Sequence, residues 1–288
     1  MTLSPALWIV LAGSLVAVSC GFVGCFLILR KMAMIGDALS HSVLPGLVVA
    51  FLITGSLGLL PMFLGAIFAG VLTTIVVQWL SRNRVQEDAA MGVTFTGLFA
   101  LGVVLLSVFA GNVHLDAEHV LYGELAYVPF DTWEIGGYDL GPRAIWSLGL
   151  ATVIAFLVLG KWYKEFKICA FDPVLAQTLG IPVQVFHFAL MILVSLVLVA
   201  SLESVGAILS VAMLIIPGAT AYLLTQRLEQ MLMLSVVIGI AMAISGYGLA
   251  TLLDVSISGS MAVMAGIMFT IAFLFSPERG FLRRRSIG

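Results

Sequence analysis

Apolar runs of about twenty residues follow one another almost without interruption along this chain, and no other feature restricts its fold so severely. They cover 5–29, 33–54, 60–80, 89–110, 144–160, 183–202, 205–225, 230–252 and 258–276. A helix of about twenty apolar residues crosses the hydrocarbon layer of a bilayer, where every backbone polar group must be satisfied internally. Of the 288 residues, 61% are hydrophobic and 10% charged, against roughly 45–50% and about 25% in soluble domains. A water-soluble fold of this length has too little interior to hide that surface. The expectation is an all-α, polytopic membrane bundle of about eight to nine transmembrane helices, a single domain over 1–288. A large soluble domain is excluded. No G-x-x-x-x-G-K-[ST] phosphate loop occurs, so ATP can act only through another chain.

The basic residues orient the bundle. Arg30 and Lys31 follow run one, Arg82 and Arg84 run three, Lys161, Lys164 and Lys167 run five, and Arg227 run seven, while Arg279, Arg283, Arg284 and Arg285 close the chain. With nine spans and the N-terminus outside, all of these fall on one face and leave Arg143 alone on the other. The positive-inside rule makes the basic face cytoplasmic and the C-terminus with it. No Lys or Arg precedes residue 30, and the first run is too long for a signal-peptide core, so it reads as a retained helix. Glu203, Ser204 and Gly206 interrupt runs six and seven; these are two spans, or one span plus a re-entrant piece. Cys20, Cys25 and Cys169 have no metal-type spacing. Small residues such as Gly13, Ala17, Gly65 and Ala69 inside the runs suit close helix packing.

Two stretches stand outside the apolar pattern. The external loop 111–143 carries Asp116, Glu118, Glu124, Asp131, Glu134 and Asp139 against Arg143, with His114, His119 and several aromatics. It either docks a partner and concentrates cations or is an ordinary solvated loop. The stretch 167–182 on the cytoplasmic face ends in a short helix: Asp172 suits its N-cap, Pro173 its first position and Gly180 its stop. It is a handle for a soluble partner or a plain connector.

Charges are almost confined to loops and span ends; the exceptions are Asp37, Glu203 and Asp254, the last two near external ends. Asp37 lies inside the second run, and an ionisable residue within a span is costly enough that function is the default reading. His41 follows four residues later and shares its helix face. Carboxylate plus imidazole is a donor set for Mn, Fe, Zn or Co, or else a pair that ties helices together. Two ligands do not complete a site, so a second helix or a second copy must supply the rest. Ser40 adds polarity; Pro45 and Gly46 loosen the backbone, and Pro45 denies a hydrogen bond to the carbonyl of His41. Asp37 is only a few residues past Lys31, which is shallow for mid-membrane. Either the helix begins earlier and tilts strongly, or the site lies in the inner half. His187 reads as a helix-packing histidine.

The segment R-K-M-A-M-I-G-D-A-L-S-H-S-V-L-P-G (30–46) resembles the second-helix motif of bacterial ATP-binding-cassette permeases that import manganese, zinc or iron. F-D-P-V-L-A-Q-T-L-G (171–180) resembles their cytoplasmic coupling segment, and S-V-G-A-I-L-S-V-A-M-L-I-I-P-G-A-T-A (204–221) their late helix. The motifs come in the family's order and the likeness spans essentially the whole chain. The resemblance implies a non-enzymatic transport subunit in a bacterial plasma membrane, with no permanently bound cofactor. It implies a permease dimer, homo- or heteromeric, two cytoplasmic ATPase subunits and an external metal-binding protein. Asp37 and His41 then become the transmembrane metal contacts, and Phe171, Asp172, Pro173, Ala176 and Gly180 belong to the ATPase-coupling segment. His114, Asp116, Glu118, His119 and Glu124 lie in the external loop, whose length looks like the manganese branch. The competing class, an ion-gradient-coupled secondary metal transporter, calls for internal repeats and more intramembrane ionisable residues. A membrane metalloprotease needs a motif such as H-E-x-x-H, which is absent.

Overall fold

The computed structural model describes residues 4–56, 58–109, 125–135 and 138–276. Helix α1 (Pro5–Leu29) starts with a proline in its first turn, where the missing N–H costs nothing. A tight turn, with Lys31 at φ 60, leads into α2 (Ala33–Ser42) and α3 (Leu44–Thr54), one span interrupted at Val43. The spans α4 (Leu59–Arg82) and α5 (Glu87–Phe109) follow. Leu125–Phe130 form a 3-10 turn, and β1 (Thr132–Ile135) pairs antiparallel with β2 (Tyr138–Pro142), so part of the expected external loop is built structure. Next come α6 (Arg143–Lys161), the short α7 (Tyr163–Phe171) and α8 (Pro173–Thr178), then α9 (Val183–Leu224), α10 (Leu228–Leu253) and α11 (Ile257–Phe275).

At 42 residues, α9 would run about 63 Å if straight, twice the hydrocarbon thickness. It is not straight. Gly206 takes φ 78 and ψ 172, a conformation open essentially to glycine alone. Contacts with α1 show what this break does. His187 lies beside Arg30 and Ser201 beside Cys20, so the arm 183–205 climbs away from the basic face. A Cβ on Gly21 would meet Met213 and Pro217, and Gly218 faces Cys25 and Ile28, so the arm 207–224 comes back. The segment is a hairpin of two span-length arms, and the chain reverses at Gly206 rather than at Glu203 or Ser204. Among the described residues eight stretches are long and apolar enough to cross a membrane; with α9 traversing twice they match the nine apolar runs.

The remaining directions agree. Met231 of α10 contacts Cys25, and Gly239 faces Ala17, so α10 leaves the basic face. Met261 of α11 lies against Gly13 and Gly246, and the Ser276 hydroxyl donates to the carbonyl of Leu223, so α11 returns to it. The two α9 arms and α1 make the buried centre, with Val16, Ala17, Phe26, Leu198, Met213 and Leu214 fully enclosed. Backbones approach closely where side chains are absent. A Cβ on Gly24 would collide with the carbonyl of Leu214, and Gly46 and Gly65 face each other's carbonyls across α3 and α4.

Candidate metal-contact site

Helix α2 brings Asp37 and His41 together on one side: Oδ1 of Asp37 is 3.8 Å from Nε2 of His41. That is too long for a hydrogen bond. A divalent ion with bonds of ~2.1 Å would hold neighbouring donors about 3.0–3.4 Å apart, so a small rotamer change closes the pair on one ion. The imidazole sits between Phe95 and Phe99 of α5, at centroid distances of 5.9 and 5.8 Å. These ring contacts hold the imidazole against α5. The side chains of His41 and Asp37 remain 32% and 46% exposed, so this protomer covers their face only in part. Among the described residues no three His, Cys, Asp or Glu side chains cluster. The described residues therefore offer two such donors here.

The neighbouring polar residues serve the backbone. Ser40 donates its hydroxyl to the carbonyl of Asp37 at 2.7 Å, which keeps it on its own helix. Ser42 and Thr73 join α2 to α4 through a 2.8 Å hydroxyl contact. Pro45 packs against Gly102, where a Cβ would stand 2.9 Å from the ring, and so docks the α2–α3 interruption on α5. The depth of the pair follows from Gly36. It abuts Leu214, whose backbone rests on Gly24, five residues or about 7.5 Å from the end of α1. Helix α2 starts no earlier than Ala33, so Asp37 lies in the half of the bundle nearer the basic face.

The segment 167–182 lies on the basic face, with Phe166 packed edge-on to Phe26 and Phe186. Asp172 accepts from the N–H of Leu175 at 2.9 Å, capping α8, and Gly180 ends it at φ 77. Ala176 is fully buried beneath the helix while Phe171, Val174, Leu175 and Leu179 stand exposed. Helix α7 is tied to α10: the Glu229 carboxylate accepts from Lys167 at 2.6 Å and from Tyr163 at 2.9 Å. Burial and that bond to Glu229 push the Tyr163 phenol up to about 12. Burial also raises the Cys169 thiol, leaving it an unreactive small hydrophobe.

Of the other sequence candidates, His187 takes a packing role, its Nδ1 3.4 Å from the guanidinium of Arg30. Asp254 caps α10 in the left-handed region at φ 53. His114, Asp116, Glu118, His119 and Glu124 lie outside the described residues, as do Arg279, Arg283, Arg284 and Arg285. Sequence reasoning missed Phe95 and Phe99, although their four-residue spacing within one run places them on one helix face. It also missed the Tyr163–Glu229–Lys167 tie, which joins residues 62 or more positions apart.

Comparison with known proteins shows the family and the fold. Residues 3–276 match the model of the ABC 3 transport family. The chain is 54% identical over 278 residues to the manganese transport system membrane protein MntD of Bacillus subtilis, covering 96% of this chain and 94% of that one. It is 41% identical to the zinc transport system membrane protein TroD of Treponema pallidum, over 96% of this chain and 75% of that one. Its fold superposes on a chain of the structure of PsaBC from Streptococcus pneumoniae in complex with Fab, with a TM-score of 0.81, 31% identity, and coverage of 98% of this chain and 96% of that chain.

Proposed function

The chain belongs to the ABC 3 transport family, and from that premise we propose that it is the membrane-spanning permease subunit of an ATP-driven importer of divalent transition metal ions, manganese first, with zinc or iron as alternatives. The observation that carries the reading is the partly exposed Asp37–His41 pair, two donors of metal-binding type on one helix face with no third such donor beside them among the described residues. A second permease copy facing it would bring the same pair and raise the donor set to four. Carboxylate and imidazole accept manganese, zinc and iron alike. Preference for manganese rests on the relative at 54% identity; a zinc-named relative at 41% keeps zinc in play. A pathway must release what it binds, and a site made of few half-exposed donors meets that need.

The chain itself transfers no chemical group. ATP would be hydrolysed on cytoplasmic ATP-binding-cassette subunits docked at 167–182, whose exposed Phe171, Val174, Leu175 and Leu179 form an apolar patch beyond the spans. The caps by Asp172 and at Gly180, with Ala176 buried beneath, hold that patch as one short rigid element. An external metal-binding protein would deliver the ion at the opposite face, where the acidic 111–143 stretch lies. Every described Lys and Arg except Arg143 lies on the face bearing Arg30, so by the positive-inside rule that face is cytoplasmic, the N-terminus is external and the membrane is the bacterial plasma membrane. The test is manganese uptake into proteoliposomes that hold the permease with its ATPase. The expected result is ATP-dependent, vanadate-sensitive uptake. Uptake driven by a proton gradient without ATP would overturn the reading in favour of a secondary transporter.

A further inference from the structure

A cavity of about 380 Å³ lies behind α2, at the basic-face ends of α4 and α9, within the range of roughly 300–1,000 Å³ for small-ligand sites. Ile35 and Leu39 line it. Asp37 is two residues from each, about 200° around the helix, so the cavity opens on the face of α2 opposite the metal pair and is no part of the ion's path. Its polar wall is rich in donors: Arg82, the amides of Gln78 and Gln184, Ser81 and His187. No carboxylate lines it. The Ser81 hydroxyl oxygen is buried and has no hydrogen-bond partner. A guanidinium can only donate, so Arg30 makes Nδ1 of His187 the acceptor of their 3.4 Å contact, and the neutral ring carries its proton on Nε2. Arg30 is itself half-buried and, among the described residues, has no carboxylate in ion-pair range. Arg82 stands exposed at the rim of the cavity and the unpaired Ser81 hydroxyl lies inside it, with no carboxylate in the lining to accept from either.

The rest of the cavity is apolar, formed by Ile35, Leu39, Val77, Met91 and Met191. A free inorganic anion would satisfy the polar wall and leave this part empty. A phosphate group carrying hydrocarbon satisfies both, and the cavity sits at the depth where such molecules are the solvent. We propose that this cavity binds an anionic phospholipid from the leaflet at the basic face, its phosphate at Arg82, Ser81 and Gln184 and the start of an acyl chain along Ile35, Leu39 and Val77. Basic pockets between helices are recurrent sites for such head groups. A lipid seated there backs α2 from the side away from Asp37 and His41.

The experiment is native mass spectrometry of the full-length chain, delipidated in nonionic detergent and titrated with phosphatidylglycerol or phosphatidylcholine. Phosphatidylglycerol should be retained preferentially, and Arg82→Gln, at an exposed helix end, should cut that preference about fivefold, the weight of one basic residue at an anionic surface. Ser81→Met keeps every charge, improves helix propensity and replaces the unpaired hydroxyl by a bulkier thioether at the polar end of the cavity; it should weaken retention. Millimolar inorganic phosphate should leave the lipid bound. The proposal is overturned by equal retention of the two lipids, by displacement with inorganic phosphate, which assigns the wall to a soluble anion, or by wild-type retention in Ser81→Met, which reduces the effect to surface attraction.

Discussion

Gly24→Ala should destabilise the protein far more than Gly36→Ala, although both glycines face the same residue. A Cβ on Gly24 would overlap the carbonyl oxygen of Leu214 and stand 2.9 Å from its carbonyl carbon. The returning arm of α9 can relieve that only by moving its backbone by more than about an ångström, and Leu214 is fully buried. Overpacking of this kind costs typically 1–3 kcal/mol and occasionally more; with no side chain able to yield, the upper end, ~3 kcal/mol, applies. Alanine's helix advantage over glycine returns about 1 kcal/mol, for a net loss of ~2 kcal/mol. A Cβ on Gly36 would overlap only the Cδ2 tip of Leu214, with Cγ at an ordinary 3.6 Å. A rotamer change relieves it for ~1 kcal/mol, which the same propensity gain offsets. Leu214→Val, which shortens the side chain, should therefore couple favourably with Gly36→Ala by ~0.5–1 kcal/mol and leave Gly24→Ala unimproved. The assay is dodecyl sulfate unfolding of the purified chain, followed by tryptophan fluorescence, across both double-mutant cycles. Equal losses for the two glycines, or rescue of Gly24→Ala by Leu214→Val, would refute the reasoning.

The reversal in α9 predicts that Gly206→Ala costs ~1–3 kcal/mol by the same measure, because φ 78 with ψ 172 strains any residue with a Cβ; an unchanged midpoint would mean the chain turns elsewhere. Thr73→Val removes the hydroxyl contact between α2 and α4 and should cost ~0.6 kcal/mol, the mean for such bonds between membrane helices. A loss several times larger would show that the contact anchors α2 rather than trimming its position. Glu229→Gln weakens the tie between α7 and α10. Stability should be nearly unchanged, since the pair is exposed and screened, while metal transported per ATP hydrolysed falls; an unaltered ratio removes α7 from the coupling route.

Much of this was legible in the residues because the bilayer imposes simple rules on them. The span lengths followed from hydrophobic continuity, and the Asp37–His41 face from the 3.6-residue period. The cap at Asp172 and stop at Gly180 followed from backbone chemistry that proline and glycine announce locally. The reversal at Gly206 was harder to place, since a glycine inside an apolar run does not declare its φ, and Glu203, Ser204 and Gly206 interrupt the pattern together. The β1–β2 hairpin was hidden by a polar stretch without clear alternation. The contact of Arg30 with His187, 157 residues apart, and the cavity behind α2 arise from helix packing, which a single sequence does not encode position by position. The proposed metal site is legible only in part for the same reason: among the described residues no third His, Cys, Asp or Glu joins Asp37 and His41.

The most direct test of the Asp37–His41 assignment is the initial rate of ATP-driven manganese uptake in proteoliposomes containing wild-type, Asp37→Asn or His41→Ala permease at matched incorporation and ATPase content. Both side chains are half-exposed, and removing either leaves no buried partner stranded, so both variants should insert and bind the ATPase as the wild type does. Each should reduce uptake to the rate of liposomes lacking ATP. Wild-type uptake by either variant would place the ion's path elsewhere in the bundle.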